Sequence, residues 1–195
     1  MLKKHDLISF EEDIKKIYEA GKIKAPIHLS GNNEESLIKI FKNVKKNDWV
    51  FSTWRNHYHA LLKGIPQKWL KKEIIEGRSM GINNIKHKFY SSAIVGGILP
   101  IALGVAKSIK LKKQKSKVWV FIGDMTFETG IFHECYKYSK NFSLPIRFVI
   151  EDNNMSTNSP TDKIWGKKSK VPKDVIKYNY KRKYPHHGTG GWVLF

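Results

Sequence analysis

The run VWVFIGD, residues 118–124, decides the fold class of this chain. Its five consecutive apolar residues, rich in β-branched and aromatic side chains, predict a strand that is buried on both faces. A second such run, PIRFVIEDN, occupies residues 145–153, and a helical pattern over about residues 128–141 separates the two. A strand, a helix and a second strand form a βαβ unit, whose strands are parallel with a right-handed crossover. The sequence therefore predicts an α/β fold with a parallel sheet flanked by helices.

The rest of the chain supplies further helices and one more strand. The capping-box spacing of Ser9 and Glu12 predicts a first helix within an N-terminal segment of residues 1–25, and Asn33 is a candidate cap for a second helix. The other predicted elements are a strand at 49–51, two short helices within 55–76, a loop over 79–92 and a helix buried on most sides over 94–109. We expect a single domain over residues 1–195, with a basic C-terminal segment at 161–195.

The charge of the chain raises the question of an anionic partner. Lysine and arginine total 36 against 17 acidic residues, a net charge of +19. A non-enzymatic nucleic-acid-binding protein is one class that explains this charge directly. The lysines, however, cluster within 107–117 and 163–183, without the interleaved aromatic residues of a base-stacking surface. A solvated basic surface, or an interface with an acidic partner chain, is therefore the favoured interpretation.

Cysteine content and hydropathy limit the class of protein further. The single cysteine, Cys135, excludes a disulfide within the chain and a multi-cysteine metal site, and it suits a reducing cytoplasm. The most apolar window, residues 91–106, is shorter than the about 20 apolar residues that a membrane-spanning helix needs. We therefore expect a cytoplasmic protein with no membrane partner.

Polar residues follow both predicted strands of the βαβ unit. Gly123 and Asp124 come after the first strand, and residues 151–154 (EDNN) come after the second. Ligands of parallel α/β sheets bind outside the carboxyl ends of the strands, so Asp124 and Asn153 are expected to meet there. Their oxygen atoms suit Mg²⁺, and the amino end of the following helix offers backbone donors to a phosphate. The pattern indicates a magnesium–diphosphate site, although an ordinary turn and a helix cap would look the same.

These residues resemble the signature of a known family. Asn153 follows Asp124 after 29 positions, which is similar to the Gly-Asp-Gly and Asn-Asn signature of thiamine-diphosphate enzymes. The surrounding sequence resembles more narrowly the alpha subunit of the decarboxylating first component of 2-oxo acid dehydrogenase complexes. The resemblance covers about residues 8–160, and the segments that carry it are HLSG (28–31), DWVFSTWRNH (48–57), IVGGILP (94–100), IFHE (131–134), LP (144–145) and EDN (151–153).

The resemblance implies a transketolase-like fold and a set of cofactor contacts. Asp124, the side chain of Asn153 and the backbone carbonyl of Met155 would bind Mg²⁺. Val95 would lie under the aminopyrimidine ring of thiamine diphosphate, and Trp54, in place of the usual tyrosine, would pack on the cofactor. The implied cofactor-binding residues are Trp54, Arg55, Val95, Gly123, Asp124, Met125, Thr126 and Asn153, with Arg55 and the backbone after Asp124 holding the diphosphate.

Two histidines are implied at the reacting centre. His28 and His57 would face the substrate and serve as proton donors or substrate contacts. A purely structural role stays open for both, because a lone buried histidine is also a common core residue.

The chain departs from the family pattern in several places. Met125 replaces the third residue of the diphosphate motif, a glycine; Ala93 replaces a frequent glycine, and Asp152 replaces the first asparagine. The chain ends 42 residues after Asn153, whereas the usual alpha subunit continues to a loop that carries histidine and serine, which HHG at 186–188 resembles. We therefore expect a compact, shortened diphosphate-binding subunit.

The implied activity is that of a thiamine-diphosphate-dependent oxidoreductase of the 2-oxo acid dehydrogenase type. The cofactor adds to a 2-oxo acid and stabilises the carbanion that remains after decarboxylation. In this family the glutamate that activates the aminopyrimidine lies on a separate pyrimidine-binding (beta-type) chain, so we expect this chain to be inactive alone. Half of a split transketolase-like ketol or acyl transferase, which uses the same cofactor, stays an alternative.

Overall fold

A computed structural model describes residues 2–194 of the chain. Eight α-helices lie within these residues: α1 (Lys4–Glu19), α2 (Glu34–Phe41), α3 (His57–Leu62), α4 (Gln67–Ile75), α5 (Ile98–Leu111), α6 (Asp124–Phe127), α7 (Gly130–Asn141) and α8 (Thr161–Trp165). The strands are β1 (Trp49–Ser52), β2 (Asn83–Asn84), β3 (Phe89–Ser91), β4 (Val118–Gly123), β5 (Ile146–Asp152), β6 (Met155–Ser156), β7 (Ser159–Pro160) and β8 (Ile176–Asn179).

Six of these strands form one sheet in the order β2-β3-β1-β4-β5-β8. All neighbouring pairs are parallel except β2 and β3 at one edge, which are antiparallel. β6 and β7 form a separate antiparallel hairpin. The predicted parallel α/β fold is confirmed, and β4 and β5, the two strands of the βαβ unit, lie side by side at its centre.

The central strands are buried on both faces, as their unbroken apolar runs predict. Phe121 and Val149 point into one core, which the apolar residues of α1 to α4 complete. Val120 and Ile150, one residue removed, point into a second core with α5 and α7. Because side chains alternate along a strand, a sheet covered on both faces needs apolar residues at every position.

Three sequence-based predictions of secondary structure were wrong or incomplete. α1 begins at Lys4 rather than near Ser9, because the Asp6 carboxylate accepts the Lys3 backbone N–H at 2.7 Å and caps the helix earlier. The predicted loop at 79–92 contains β2 and β3, which have two and three residues and are too short to show a period. The basic segment after residue 160, where the sequence predicts no regular element, contains α8 and β8; in β8 the half-buried Ile176 and Tyr178 alternate with exposed Lys177 and Asn179, which suits an edge strand.

The apolar segment before and within α5 is less covered than the sequence suggests. The helix begins at Ile98, and Ile94, Val95 and Ile101 are 72%, 49% and 45% exposed. No helix within residues 2–194 has both the length and the apolar character to cross a membrane.

Candidate functional site

A cleft lies at the carboxyl ends of β1, β4 and β5. Nine of the eleven site residues expected from the sequence line it: Trp54, Arg55, Val95, Gly123, Asp124, Met125, Thr126, Asn153 and Met155. The parallel register places Gly123 directly opposite Glu151, so the polar residues that follow each strand emerge together. His28 and His57 do not line this cleft.

Asp124 is the first residue of α6 and is almost completely buried. Its carboxylate accepts a hydrogen bond from the Thr161 hydroxyl. Burial raises the pKa of Asp124, and the nearby Asp152 charge adds to this, while the Thr161 hydrogen bond opposes it. A buried carboxylate of this kind is stabilised in its charged form by a bound cation.

The side chain of Asn153 closes the turn that follows β5. Its Oδ1 accepts the Met155 backbone N–H at 2.9 Å, and its Nδ2 donates to the Tyr180 hydroxyl at 3.0 Å. Asn154 takes a left-handed conformation, with φ of 55°, which lets the chain reverse into β6. This turn brings Met155 back to the cleft beside Asn153.

The neighbouring Asp152 forms ion pairs and supports the turn instead of lining the cleft. Its carboxylate pairs with Lys177 at 2.7 Å and with Lys168 at 3.2 Å, outside the cleft. It also accepts the Asn154 backbone N–H at 2.9 Å and so supports the same turn. An aspartate in place of the family asparagine therefore fits this fold without entering the site.

The oxygen atoms in the cleft suit a hard cation. Those expected to coordinate a metal belong to the Asp124 carboxylate, the Asn153 side-chain amide and the Met155 backbone, and all three residues line the cleft. Within residues 2–194 there is no cluster of three or more histidine, cysteine, aspartate or glutamate side chains that would hold a metal by itself. A donor set with so few protein oxygens fits Mg²⁺, which usually completes its octahedron with phosphate oxygens and water.

Met125 does not strain the backbone where the family has glycine. It lies in the first turn of α6 with ordinary helical geometry, and its φ is not positive. Its sulfur lies 2.8 Å from the indole nitrogen of Trp165 in α8. The backbone here needs no glycine, and the Met125 side chain packs toward α8.

Arg55 follows β1 and reaches the far side of the cleft. Its two terminal nitrogens donate to the carbonyl oxygen of His186 at 3.2 and 3.4 Å. Burial lowers the pKa of Arg55, while the negative charges of Glu11 and Glu151 favour its charged form. Arginine remains protonated in proteins, so the cleft carries a permanent positive charge at this point.

His28 contacts the same carbonyl from a second loop. Its Nδ1 lies 2.6 Å from the His186 carbonyl oxygen, and its Nε2 lies 3.2 Å from the Met80 sulfur. Burial lowers the pKa of His28 to about 4, so the ring is neutral near pH 7. Because a carbonyl only accepts, the proton of the neutral ring is on Nδ1 and the lone pair is on Nε2.

His57 is fully buried behind the cleft wall. Its Nδ1 lies 3.2 Å from Glu11 Oε1, and its Nε2 lies 2.9 Å from Ser79 Oγ. The structure therefore brings His28 to the edge of the cleft and leaves His57 in the core.

Several residues that line or support the cleft were not among the expected site residues. Glu151, Tyr180 and His186 line the cleft, and Thr161 contacts Asp124. Glu151 had a usable signal, because it belongs to the polar run at 151–154 that follows the apolar part of the second predicted strand. The other three come from the basic C-terminal segment, where the sequence predicts no regular element.

A family model described as the dehydrogenase E1 component matches residues 3–174. The chain belongs to the dehydrogenase E1 component family. As the sequence resemblance predicts, curated relatives of this E1 chain include the pyruvate dehydrogenase E1 component subunit alpha-3 of Arabidopsis thaliana, which is 32% identical over 161 residues. The corresponding alpha subunit of Rickettsia prowazekii is 30% identical over 157 residues.

These alignments cover only part of each relative. They include 74% of this E1 chain and 38% of the Arabidopsis protein, and 75% of this chain and 48% of the Rickettsia protein. The chain therefore spans less than half the length of these relatives. An X-ray structure of a candidate thiamin diphosphate-dependent enzyme from Mycobacterium smegmatis is 17% identical, with a TM-score of 0.48, over 70% of this chain and 23% of that one.

Proposed function

We propose that this E1 chain is the diphosphate-binding, alpha-type subunit of a 2-oxo acid dehydrogenase or decarboxylase. It would hold thiamine diphosphate through Mg²⁺ and act with a separate pyrimidine-binding chain. The observation that carries the proposal is the meeting of nine residues of the family pattern at one cleft. Those residues lie on four separate segments of the sequence, and the fold brings them to one sheet edge, where parallel α/β proteins bind ligands.

Three groups of this chain would hold the metal and two would hold the diphosphate. Asp124, the Asn153 side chain and the Met155 carbonyl would coordinate Mg²⁺. Arg55 and the backbone N–H groups at the start of α6 would bind the phosphate oxygens. The exposed Val95 and the neighbouring Trp54 would contact the organic part of the cofactor. When bound, the cofactor supplies the carbanion-stabilising group that decarboxylation needs.

The two expected histidines would have different roles. His28, neutral and protonated on Nδ1, would accept a proton or a hydrogen bond through Nε2 if Met80 moves aside. Because its pKa is about 4, it would serve near pH 7 as a hydrogen-bond acceptor rather than as a proton donor. His57, enclosed by Glu11 and Ser79, would support the cleft wall without touching the substrate.

The activating glutamate would come from the partner chain. Among the described residues that line the cleft, the only glutamate is Glu151. Its carboxylate accepts a hydrogen bond from Tyr178 and lies 3.1 Å from His59 Nε2, so these contacts hold it at the end of β5.

The buried free thiol of Cys135 is compatible with the reducing cytoplasm in which we place this chain.

Reconstitution tests this assignment. Mixing the chain with a pyrimidine-binding E1 partner, thiamine diphosphate and Mg²⁺ is expected to produce decarboxylation of pyruvate or another 2-oxo acid that neither chain shows alone. Transfer of a ketol group between sugar phosphates by the mixture, without release of carbon dioxide, would favour the split transketolase instead. Decarboxylation by the purified chain as a monomer would contradict the shared site.

A further inference from the structure

Two separate loops hold the same carbonyl group at the rim of the cleft. His28 and Arg55 both contact the His186 carbonyl oxygen, although 27 residues separate them in the sequence. The segment that carries His186 is also hydrogen-bonded to the loop that carries His28, because the Gly188 N–H donates to the Ile27 carbonyl at 2.8 Å. The relative position of these two loops therefore decides where the Arg55 guanidinium points.

Behind the cleft, one buried carboxylate links those two loops. Glu11, on α1, is 1% exposed. Its Oε2 accepts the Ser30 backbone N–H at 2.7 Å, two residues after His28. Its Oε1 lies 3.2 Å from Nδ1 of His57, two residues after Arg55. The carboxylate thus joins the backbone of one loop to a side chain of the other.

The link continues to a third loop. His57 Nε2 lies 2.9 Å from Ser79 Oγ, and Ser79 is followed by Met80, whose sulfur contacts His28. A neighbouring bond from Asn56 Nδ2 to the Ser79 carbonyl, at 2.8 Å, fixes the same loop. Glu11, His57 and Ser79 are all essentially buried, and none of the three lines the cleft.

We infer that Glu11 is a positioning residue for cofactor binding, because it sets the spacing of the loops that carry His28 and Arg55. This inference rests on the proposed function. It names a residue on α1, far in sequence from every phosphate or metal contact, as a determinant of diphosphate affinity. Changes to groups that orient direct ligands typically lower affinity by roughly 10- to 100-fold.

Matched alanine variants separate positioning from general stability. Glu11→Ala removes both bonds, whereas Ile14→Ala removes a fully buried apolar side chain from the same helix, which has no group to hydrogen-bond either loop. Both variants are compared at a temperature at which circular dichroism shows them folded. Glu11→Ala is expected to raise the Kd for thiamine diphosphate with MgCl₂ about tenfold or more by calorimetry. Ile14→Ala should leave it within about twofold.

The conservative variant provides a rescue. In Glu11→Gln the amide oxygen still accepts the Ser30 N–H, and the NH₂ group bonds to His57 in its other tautomer. Glu11→Gln should therefore recover most of the affinity that Glu11→Ala loses. Equal loss of affinity in Glu11→Ala and Ile14→Ala, or no loss in Glu11→Ala, would overturn the positioning role.

Hydrogen exchange tests the same inference without any cofactor. The amides of Ser30 and Gly188 should exchange faster in Glu11→Ala than in Ile14→Ala, because both loops lose their common anchor. Unchanged exchange at these two amides would contradict the inference even if the cofactor binds. If wild-type protein binds no cofactor while the exchange difference is present, the proposed function fails and the structural link through Glu11 stands.

Discussion

The hydroxyl of Thr161 donates a hydrogen bond to the carboxylate of Asp124, across 37 residues of sequence. Thr161 is fully buried at the start of α8, directly after the β6–β7 hairpin. Its backbone N–H donates to the Asn154 carbonyl at 3.1 Å, so the two ends of the hairpin are held together. Thr161 is thereby hydrogen-bonded both to Asp124, one proposed magnesium ligand, and to Asn154, which directly follows Asn153, another proposed ligand.

Replacement of Thr161 by valine should weaken cofactor binding. The variant keeps the shape of the side chain but removes the hydrogen bond that orients Asp124, so Mg²⁺-dependent affinity for thiamine diphosphate should fall roughly tenfold. Ser139→Ala is the control, because it also removes a hydroxyl bond, to the Tyr136 carbonyl at 2.7 Å, and neither residue lines the cleft. Equal affinity of the two variants in calorimetry would contradict an orienting role for Thr161.

The low pKa of His28 predicts a pH dependence of stability. The folded protein resists protonation of this ring down to about pH 4, whereas the unfolded chain takes up the proton near pH 6.5. Because the unfolded state binds more protons in this window, the contribution of His28 to stability is lost as the pH falls from 6.5 toward 4.

Denaturant titrations of wild type and His28→Gln at pH 7 and pH 4.5 measure this contribution. Other titrating groups are common to both proteins, so the difference between the two free energies of unfolding isolates His28. Wild type should lose more stability than His28→Gln on acidification. A difference that stays constant between the two pH values would show that His28 is protonated equally in both states.

The exposed apolar residues near the start of α5 predict an interface. Ile94 and Ile101 are 72% and 45% exposed, and the cleft residue Val95 lies beside them. Ile101→Asp should abolish association with the pyrimidine-binding chain in analytical ultracentrifugation while leaving the chain folded, because a desolvated carboxylate in an interface is costly. Leu111→Asp, at the 73% exposed far end of the same helix, is the control and should associate normally.

The net charge of +19 predicts only non-specific binding to nucleic acid. Clustered surface lysines attract any phosphate backbone, and the attraction weakens steeply with salt. In gel-shift assays at physiological salt, binding to duplex or single-stranded DNA should be weak and independent of sequence. A tight complex with one DNA sequence that survives competition by unrelated DNA would instead favour a nucleic-acid-binding protein.

The central part of the fold and of the site could be predicted because the information is local. Two apolar runs define β4 and β5, and Asp124 and Asn153 follow them directly, so parallel pairing alone brings both to one edge. The end of β1 places Arg55 at the same edge in the same way. For these residues the position along a strand determines the position in the site.

The remaining contacts could not be predicted because they form between segments that lie far apart in the sequence. His57 begins a short helix, and only the packing of α1 against α3 shows that its ring meets Glu11 rather than the cleft. Thr161, Tyr180 and His186 reach the site because a hairpin and an edge strand turn back toward it. A lysine-rich, aliphatic-poor sequence gives no periodic signal for such elements.

The binding of thiamine diphosphate in the presence of Mg²⁺ tests the central claim most directly. Calorimetry on the chain with its pyrimidine-binding partner should show saturable binding that disappears when Mg²⁺ is chelated. Asp124→Ala should abolish this binding with the fold intact by circular dichroism. Asp152→Asn, which introduces the family residue beside Asn153 but outside the cleft, should bind like wild type. Unchanged affinity in Asp124→Ala would contradict the assignment of this cleft as the magnesium–diphosphate site.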